Sequence, residues 1–362
     1  MYSKFDLQNV LFTSNKYAKM LYIGKVPKCG GAEVMYKIYK IDSNNLTADE
    51  VENLYLINKN ITKKYNFLEP YKSSDDYKAL YLSSFNGIDN ELFVLEKNSL
   101  ICGMINCGKA ADCNGNEQYK LNIILCDLPI DEVMLKAINQ LVQEKLDQHG
   151  EIVVATYNYE LNELIHQYNN KVSLRANYYT LKREDIDIDM LNKSMKELEV
   201  KNSDFSIKYT DIISEDYIKQ YCDLFTETMK DMPDVMEEGY VQFIINPEKQ
   251  RQINESNKKR NITHNCYMIF NSNNEMIAKS NVSVNNNDPS FPYQFMIGVK
   301  RSYRGRNLGK WLYASMYKRL FETVNFDKVI VCHHPENKHA INVSEWVGYK
   351  FNYLMTDHIL YK

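Results

Sequence analysis

The 362-residue sequence has no CxxC pair and no His/Cys spacing of a metal site, although it carries eight cysteines: Cys29, Cys102, Cys107, Cys113, Cys126, Cys222, Cys266 and Cys332. Even Cys102-x4-Cys107-x5-Cys113 fits no common zinc pattern, so no metal centre is expected. Scattered thiols suit a reducing compartment, and a cytoplasmic location is the expectation. No apolar run approaches a membrane span, and Met1 to Tyr22 lacks an uninterrupted apolar core of signal-peptide length. Neither sign of charge dominates: 44 Lys and Arg face 47 Asp and Glu, leaving a net charge of -3. That balance gives no general affinity for nucleic acid or an anionic membrane. Neither Gly-x-x-x-x-Gly-Lys-Ser/Thr nor Gly-x-Gly-x-x-Gly occurs, which removes the common nucleotide-binding loops.

What is present is a 44% hydrophobic chain long enough for about two domains. Residues 1–200 hold 23 basic against 28 acidic residues, and residues 201–362 hold 21 against 19. The second half is therefore the better host for a polyanion.

Periodicity gives the first half the order β-α-α-β-β-β-α-β-α-β. Its strands are Tyr36 to Ile41, Glu91 to Glu96, Leu100 to Asn106, Lys120 to Cys126, Glu151 to Thr156 and Ala176 to Leu181. Its helices are Thr47 to Lys59, with Thr47 and Glu50 as a capping box, Ser73 to Ser84 starting at Ser74, Asp131 to Leu146, and Leu161 to Tyr168. The acidic, polar stretch Arg183 to Phe205 predicts a boundary: a first domain over 1–190, a linker over 191–204 and a second domain over 205–362.

The second half repeats the order. Strand Ser206 to Tyr209 and helix Glu215 to Lys230 are followed by helical Tyr240 to Ile245 and Glu248 to Lys259. Next come strands Cys266 to Phe270 and Met276 to Val284, then strand Phe295 to Val299, a turn and a helix. Strand Lys328 to Cys332, helix Asn337 to Val347 and a closing strand end the pattern. Val153 to Asn162 lies 175 positions before Lys328 to Asn337, so Asn162 and Asn337 are expected to open equivalent helices. A repeat this long indicates duplicated domains.

The richest stretch is Phe295 to Leu320. A buried strand (Phe295, Met296, Ile297, Val299) breaks into a Gly- and Arg-rich turn, and apolar residues then recur at helical spacing as Leu308, Leu312, Met316 and Leu320. A helix entered this way points free N–H groups and the positive end of its dipole at the turn, which suits phosphate. From Lys300 to Arg319 there are seven basic residues (Lys300, Arg301, Arg304, Arg306, Lys310, Lys318, Arg319) and no acidic one.

The turn Arg304-Gly305-Arg306-Asn307-Leu308-Gly309 resembles the acyl-CoA pyrophosphate loop of the GNAT acyltransferase superfamily, Arg/Gln-x-x-Gly-x-Gly/Ala. Asn307 stands at the first glycine, and Asn is the non-Gly residue that best tolerates positive φ. Asn337-Lys338-His339-Ala340-Ile341-Asn342-Val343-Ser344-Glu345-Trp346-Val347-Gly348-Tyr349 is similar to the second GNAT signature, Asn-x-x-Ala-x-x-x-Tyr-x-x-x-Gly-Phe, with Ser344 at the tyrosine position. The element order of the two halves is similar to tandem GNAT proteins of the mycothiol synthase type.

The resemblance implies an α/β fold with a mixed sheet in two tandem copies, the N-terminal one degenerate. It implies an acyltransferase using acetyl-CoA as cosubstrate and acylating the primary amine of a small molecule or peptide by direct attack on the thioester. Coenzyme A would be held by Arg304, Gly305, Arg306, Asn307, Leu308, Gly309 and Lys310. Asn337 would lie near the pantetheine chain, and the strand Ile297, Gly298, Val299 would offer amides to the thioester oxygen. The family's tyrosine protonates the departing thiolate; Ser344 is a poor acid, and relay through water, Tyr349 or Tyr353, or unaided departure of a thiol with pKa near 8.5 are the alternatives. His333, His334 and Glu227 are candidate bases, the histidines read as a solvated pair at a strand end. Asp127 to Glu132 occupies the first half's loop with carboxylates and no glycine, so that half is expected not to bind CoA. No nucleic-acid or membrane partner and no assembly beyond a monomer or homodimer is expected. The alternatives are a CoA-binding regulator without turnover and an aminoacyl transferase of paired GNAT-like domains.

Overall fold

The computed structural model describes residues 20–28, 31–65, 73–85, 90–98, 100–111, 117–126, 130–233 and 245–362. Two compact units emerge among the described residues: those within 20–65, 73–174 and 355–362 form unit 1, and those within 175–354 form unit 2. In unit 1 the order is β1 (Met20–Lys28), β2 (Gly31–Lys40), α1 (Ala48–Tyr65), α2 (Ser74–Leu80), β3 (Asn90–Lys97), β4 (Leu100–Ala111), β5 (Glu117–Leu125), α3 (Glu132–His149), β6 (Glu151–Thr156), α4 (Tyr159–Ile165) and the start of β7 (Asn170–Lys182).

Unit 2 opens with the rest of β7 and α5 (Ile188–Lys201). It continues through β8 (Ser206–Thr210), α6 (Glu215–Met229), α7 (Pro247–Lys259), β9 (Ile262–Phe270), β10 (Met276–Asn285), β11 (Tyr293–Val299), α8 (Leu308–Thr323), β12 (Lys328–His333), α9 (Lys338–Val347) and the start of β13 (Lys350–Tyr361). The expected helix at Tyr240 to Ile245 lies, Ile245 apart, outside the described residues.

The order β-α-α-β-β-β-α-β-α-β recurs from β2 to β7 and from β8 to β13, with β1 as an unforeseen extra strand. Local chemistry sets many of the element ends. Thr47 and Glu50 form the capping box, with Thr47 N donating to Glu50 Oε2 at 2.8 Å and Glu50 N to Thr47 Oγ1 at 3.3 Å. Helix α2 is capped by Ser73 rather than Ser74.

The unit boundaries depart from the expected 1–190, 191–204 and 205–362. The stretch read as a linker is α5, whose Leu191 and Leu198 are buried in unit 2. Its acidic residues face outward and mask an amphipathic helix. The final strands are also exchanged. The end of β13, Thr356 to Tyr361, pairs antiparallel with β6 in unit 1, while Asn177 to Lys182 of β7 pairs antiparallel with β12 in unit 2. Each strand satisfies an open sheet edge left by the other half of the sequence, and no local signal announces such pairing.

In unit 2 the sheet runs β7-β12-β11-β10-β9-β8. All pairs are antiparallel except β11 with β12, whose parallel register is confined to Tyr293↔Ile330 and Gln294↔Val331. Beyond Gln294 the two strands part. The register of β10 with β11 slips between Asn281↔Met296 and Val282↔Gln294, so Phe295 is a one-residue bulge at the point of parting. Helix α8 lies against this sheet with Leu308, Leu312, Met316 and Leu320 all buried, together with Trp311, Tyr313 and Tyr317. Each large apolar side chain so buried contributes about 1.5–3 kcal/mol. The N-terminus of α8 is therefore held on a rigid mount beside β11.

Candidate active site

Gly305 (φ 81) and Asn307 (φ 60) both take the left-handed conformation. Asn307 thus takes a conformation that glycine adopts at least cost and Asn tolerates best among the other residues. Asn307 is the N-cap of α8 and supplies no side-chain cap. The first helical bond is Trp311 N to Asn307 O at 3.1 Å, so the N–H groups of Leu308, Gly309 and Lys310 belong to the open first turn. Unit 1 differs at the corresponding helix. The Asp131 carboxylate caps α3, accepting from Val133 N at 3.1 Å and Met134 N at 3.0 Å; Asp127 to Pro129 of that loop lie outside the described residues.

Four cations surround the open end of α8. Arg301 and Arg304 both pair with Asp231, the latter at 2.5 Å, and Arg304 Nε donates to Val299 O at 3.1 Å. Burial works against the charge on Asp231, but hydrogen bonds from the two arginines outweigh it and hold the carboxyl below its ordinary value. Arg306 lies over Phe205 and Tyr303, and Lys310 Nζ lies 5.0 Å from the Trp346 ring centre.

The two glycines beside the loop differ in kind. A Cβ on Gly309 would meet only ordinary contacts, Ile297 Cδ1 at 3.5 Å and Val343 at 3.7 Å. Nothing in the packing around it requires glycine there. A Cβ on Gly298 would come within 2.9 Å of the Thr228 side chain on α6. Gly298, expected at the cofactor, thus has a packing role. Gly298→Ala is expected to destabilise unit 2 by about 1–3 kcal/mol through overpacking, partly recovered by adding Thr228→Ala. Urea unfolding followed by the fluorescence of Trp311 and Trp346, both in unit 2, measures it.

The structure brings His333 and Ser344 together. His333 Nε2 lies 2.7 Å from Ser344 Oγ, and Tyr313 OH lies 3.4 Å from the same oxygen. The solvated-pair reading is corrected: His333 and His334 are 7% and 3% exposed. Burial lowers His333 to about 4, so it is neutral at pH 7. A neutral imidazole of such low basicity positions the Ser344 hydroxyl better than it removes a proton. Tyr349, an expected substitute acid, is spent in a buried chain: Tyr317 OH lies 2.7 Å from Tyr349 OH and donates to Gln294 Oε1 at 2.9 Å. Tyr353 stacks on Tyr178.

Among the described residues no hydrogen bond joins Glu227 to His333, Ser344 or Tyr313. Half-buried on α6, Glu227 is sensed by Lys300, whose pKa is held up chiefly by its bond to Glu275. Asn337 is the N-cap of α9, with Oδ1 accepting from Ala340 N at 3.3 Å. Its expected twin is displaced: Asn158, one turn before Asn162, caps α4, and Asn162 Oδ1 instead accepts from Thr156 and lies 3.1 Å from His358 Nε2. Sequence reading missed Tyr313 and Tyr317; their spacing of four along a buried face was the available sign. Among the described residues no group of three or more His, Cys, Asp or Glu is placed to hold a metal. No described helix is long and apolar enough to cross a membrane.

Residues 229–349 match the sequence profile of the acetyltransferase (GNAT) family. A tandem GNAT protein from the clavulanic acid biosynthesis pathway, solved without AcCoA, is similar with a TM-score of 0.57 at 11% identity, over 90% of this chain and 98% of that one. A GCN5-related N-acetyltransferase from Sphaerobacter thermophilus is similar with a TM-score of 0.52 at 8% identity, over 90% and 95%. A GCN5-related glucosamine N-acetyltransferase region of a fungal multi-domain GH3 β-N-acetylglucosaminidase gives 0.52 at 10% identity, over 89% of this chain and 38% of that one. No curated protein matches. The matched segment of unit 2 is thus similar to the GNAT family in sequence, and the chain shares the fold of these tandem GNAT structures.

Proposed function

We propose that unit 2 is an acyl-CoA-dependent N-acyltransferase that takes acetyl-CoA as donor and acylates a primary amine. The observation that carries this reading is the uncapped N-terminus of α8 behind two left-handed residues, ringed by Arg301, Arg304, Arg306 and Lys310. The diphosphate of coenzyme A fits the free amides of Leu308, Gly309 and Lys310, aided by the helix dipole. Arg301 and Arg304 must be shared with, or released from, Asp231.

From that anchor the acyl chain runs into the gap where β11 and β12 part, and Ile297 to Val299 offer amides to the thioester oxygen as negative charge develops on it. The amine attacks the carbonyl carbon, its proton leaves through water, and the thiolate departs. The Ser344 hydroxyl, positioned by neutral His333 and Tyr313, donates a hydrogen bond to the sulfur. Because a thiol has a pKa near 8.5, this help suffices without a strong acid. Glu227, on α6, remains the reading for the group that draws the amine's proton into water. Unit 1 serves as a partner that does not bind CoA, because Asp131 occupies the amides of α3 that a diphosphate would use.

The test is transfer from acetyl-CoA to a panel of primary amines, with acetylated product measured by mass spectrometry. Amine-dependent product is expected. Binding of acetyl-CoA without product makes the chain a CoA-responsive regulator, and absence of binding removes the reading.

A further inference from the structure

The face of the unit 2 sheet under α6 carries a line of buried polar groups without the partners their burial demands. Lys279 of β10 is 0% exposed. No carboxylate meets it among the described residues. Its Nζ lies 3.6 Å from the Met296 sulfur and over the rings of Tyr221, at 4.1 Å, and Phe225, at 4.6 Å. Burial lowers its pKa to about 8, so most of it is charged at pH 7.

Two residues along β10, and so on the same face, Asn281 is also 0% exposed and its Nδ2 has no partner. Its Oδ1 is 3.5 Å from Tyr221 OH. On β9 the register sets His264 opposite Ser283, the next residue of this face. His264 Nδ1 meets Ser283 Oγ at 3.3 Å, while Nε2 is buried and unpartnered. Elsewhere under α6 the packing is apolar, built on Cys222, Met268, Phe270 and Met276. A buried ammonium met only by a thioether sulfur and two rings, with an unpartnered amide N–H and an unpartnered imidazole nitrogen on adjacent strands, is costly for folding alone and makes sense as one prepared site.

The cover over this site is thin on the β11 side. Phe295, the bulged residue, is 44% exposed and stacks on Phe225 at 6.1 Å. It sits at the bulge where β11 parts from β12.

We infer that Lys279 and Asn281 bind the carboxylate of the acyl acceptor, with His264 holding a further polar atom, so that the acceptor is an amino acid rather than a plain amine. This rests on the acyltransferase reading above and narrows its acceptor. A carboxylate supplies the counter-charge that Lys279 lacks and the acceptor that Asn281 Nδ2 lacks. It also leaves the amino group of the same molecule free to turn past Phe295 toward the thioester.

The test offers the protein acetyl-CoA with each of the twenty amino acids and, in parallel, the decarboxylated counterparts of lysine, phenylalanine and histidine. At least one amino acid is expected to be acetylated with a kcat/KM at least 100-fold above any decarboxylated amine. In Lys279→Met, and independently in Asn281→Leu, that preference should collapse to less than tenfold through a raised KM for the amino acid, while calorimetry still detects acetyl-CoA binding. Both variants replace a buried polar group by an apolar one of similar size, and their retained binding of acetyl-CoA verifies that unit 2 is folded. Equal use of amino acids and plain amines, acetylation of plain amines alone, no amino acid acetylated, or a preference that survives in Lys279→Met overturns the inference. Failure to bind acetyl-CoA at all is a separate result, and it removes the acyltransferase reading instead.

Discussion

Gly309→Glu abolishes acetyl-CoA binding, by at least 100-fold in Kd or about 2.7 kcal/mol, and leaves unit 2 at least as stable as the wild type. The two halves of this expectation have different causes. A side chain at 309 has room, since its Cβ would meet only ordinary contacts with Ile297 and Val343. A carboxylate in the first turn favours the helix dipole by about 0.3–1 kcal/mol, and replacing Gly lowers the entropy of the unfolded chain. The same carboxylate sits where the diphosphate must approach and repels it. Calorimetry with acetyl-CoA and urea unfolding read by the two unit 2 tryptophans separate the effects. Loss of binding together with loss of stability would show that Gly309 serves the fold; retained binding would show that the diphosphate sits elsewhere.

The second large effect is on stability in mild acid. His333 and His264 are buried in unit 2, and both are lowered to about 4, His333 by burial and His264 by burial first and Lys279 second. Between pH 6.5 and 4 the unfolded chain takes up protons that the folded one refuses, so stability falls as pH falls through this window. From pH 7 to pH 5 the loss is roughly 2 kcal/mol for each histidine. Most carboxylates remain ionised over that range. The tryptophan-detected urea midpoint should therefore drop steeply from pH 7 to pH 5, and His333→Gln should remove about half of the drop. A midpoint flat over this range would mean that neither imidazole is held neutral by burial.

Local patterns carried much of this molecule. The stripe Leu308, Leu312, Met316 and Leu320 located α8, and the Thr47–Glu50 box located α1, because both depend on residues within one or two helical turns. The left-handed turn was legible from Gly305 and Asn307, whose backbone freedom is a property of the residue itself. Facts set by distant partners were not legible. The exchange of β7 and β13 depends on open sheet edges more than 170 residues apart in sequence. Nothing in the sequence neighbours of Asp231 announces its grip on Arg301 and Arg304. His333 and His334 sit at a strand end, where solvation is the usual lot, and their burial comes from packing. Lys279 passed as one polar residue in a strand because burial of a charge against rings leaves no trace in spacing.

The central claim is that the open amides of α8 receive the diphosphate of an acyl-CoA. The most direct measurement is an amide 1H–15N titration of the full chain with acetyl-CoA, using NAD and ATP as controls. The account predicts that the amides of Leu308, Gly309 and Lys310 shift first and saturably with acetyl-CoA, while those of Val133 and Met134 at the capped helix of unit 1 stay in place. Saturable shifts elsewhere with these three amides unmoved would contradict it.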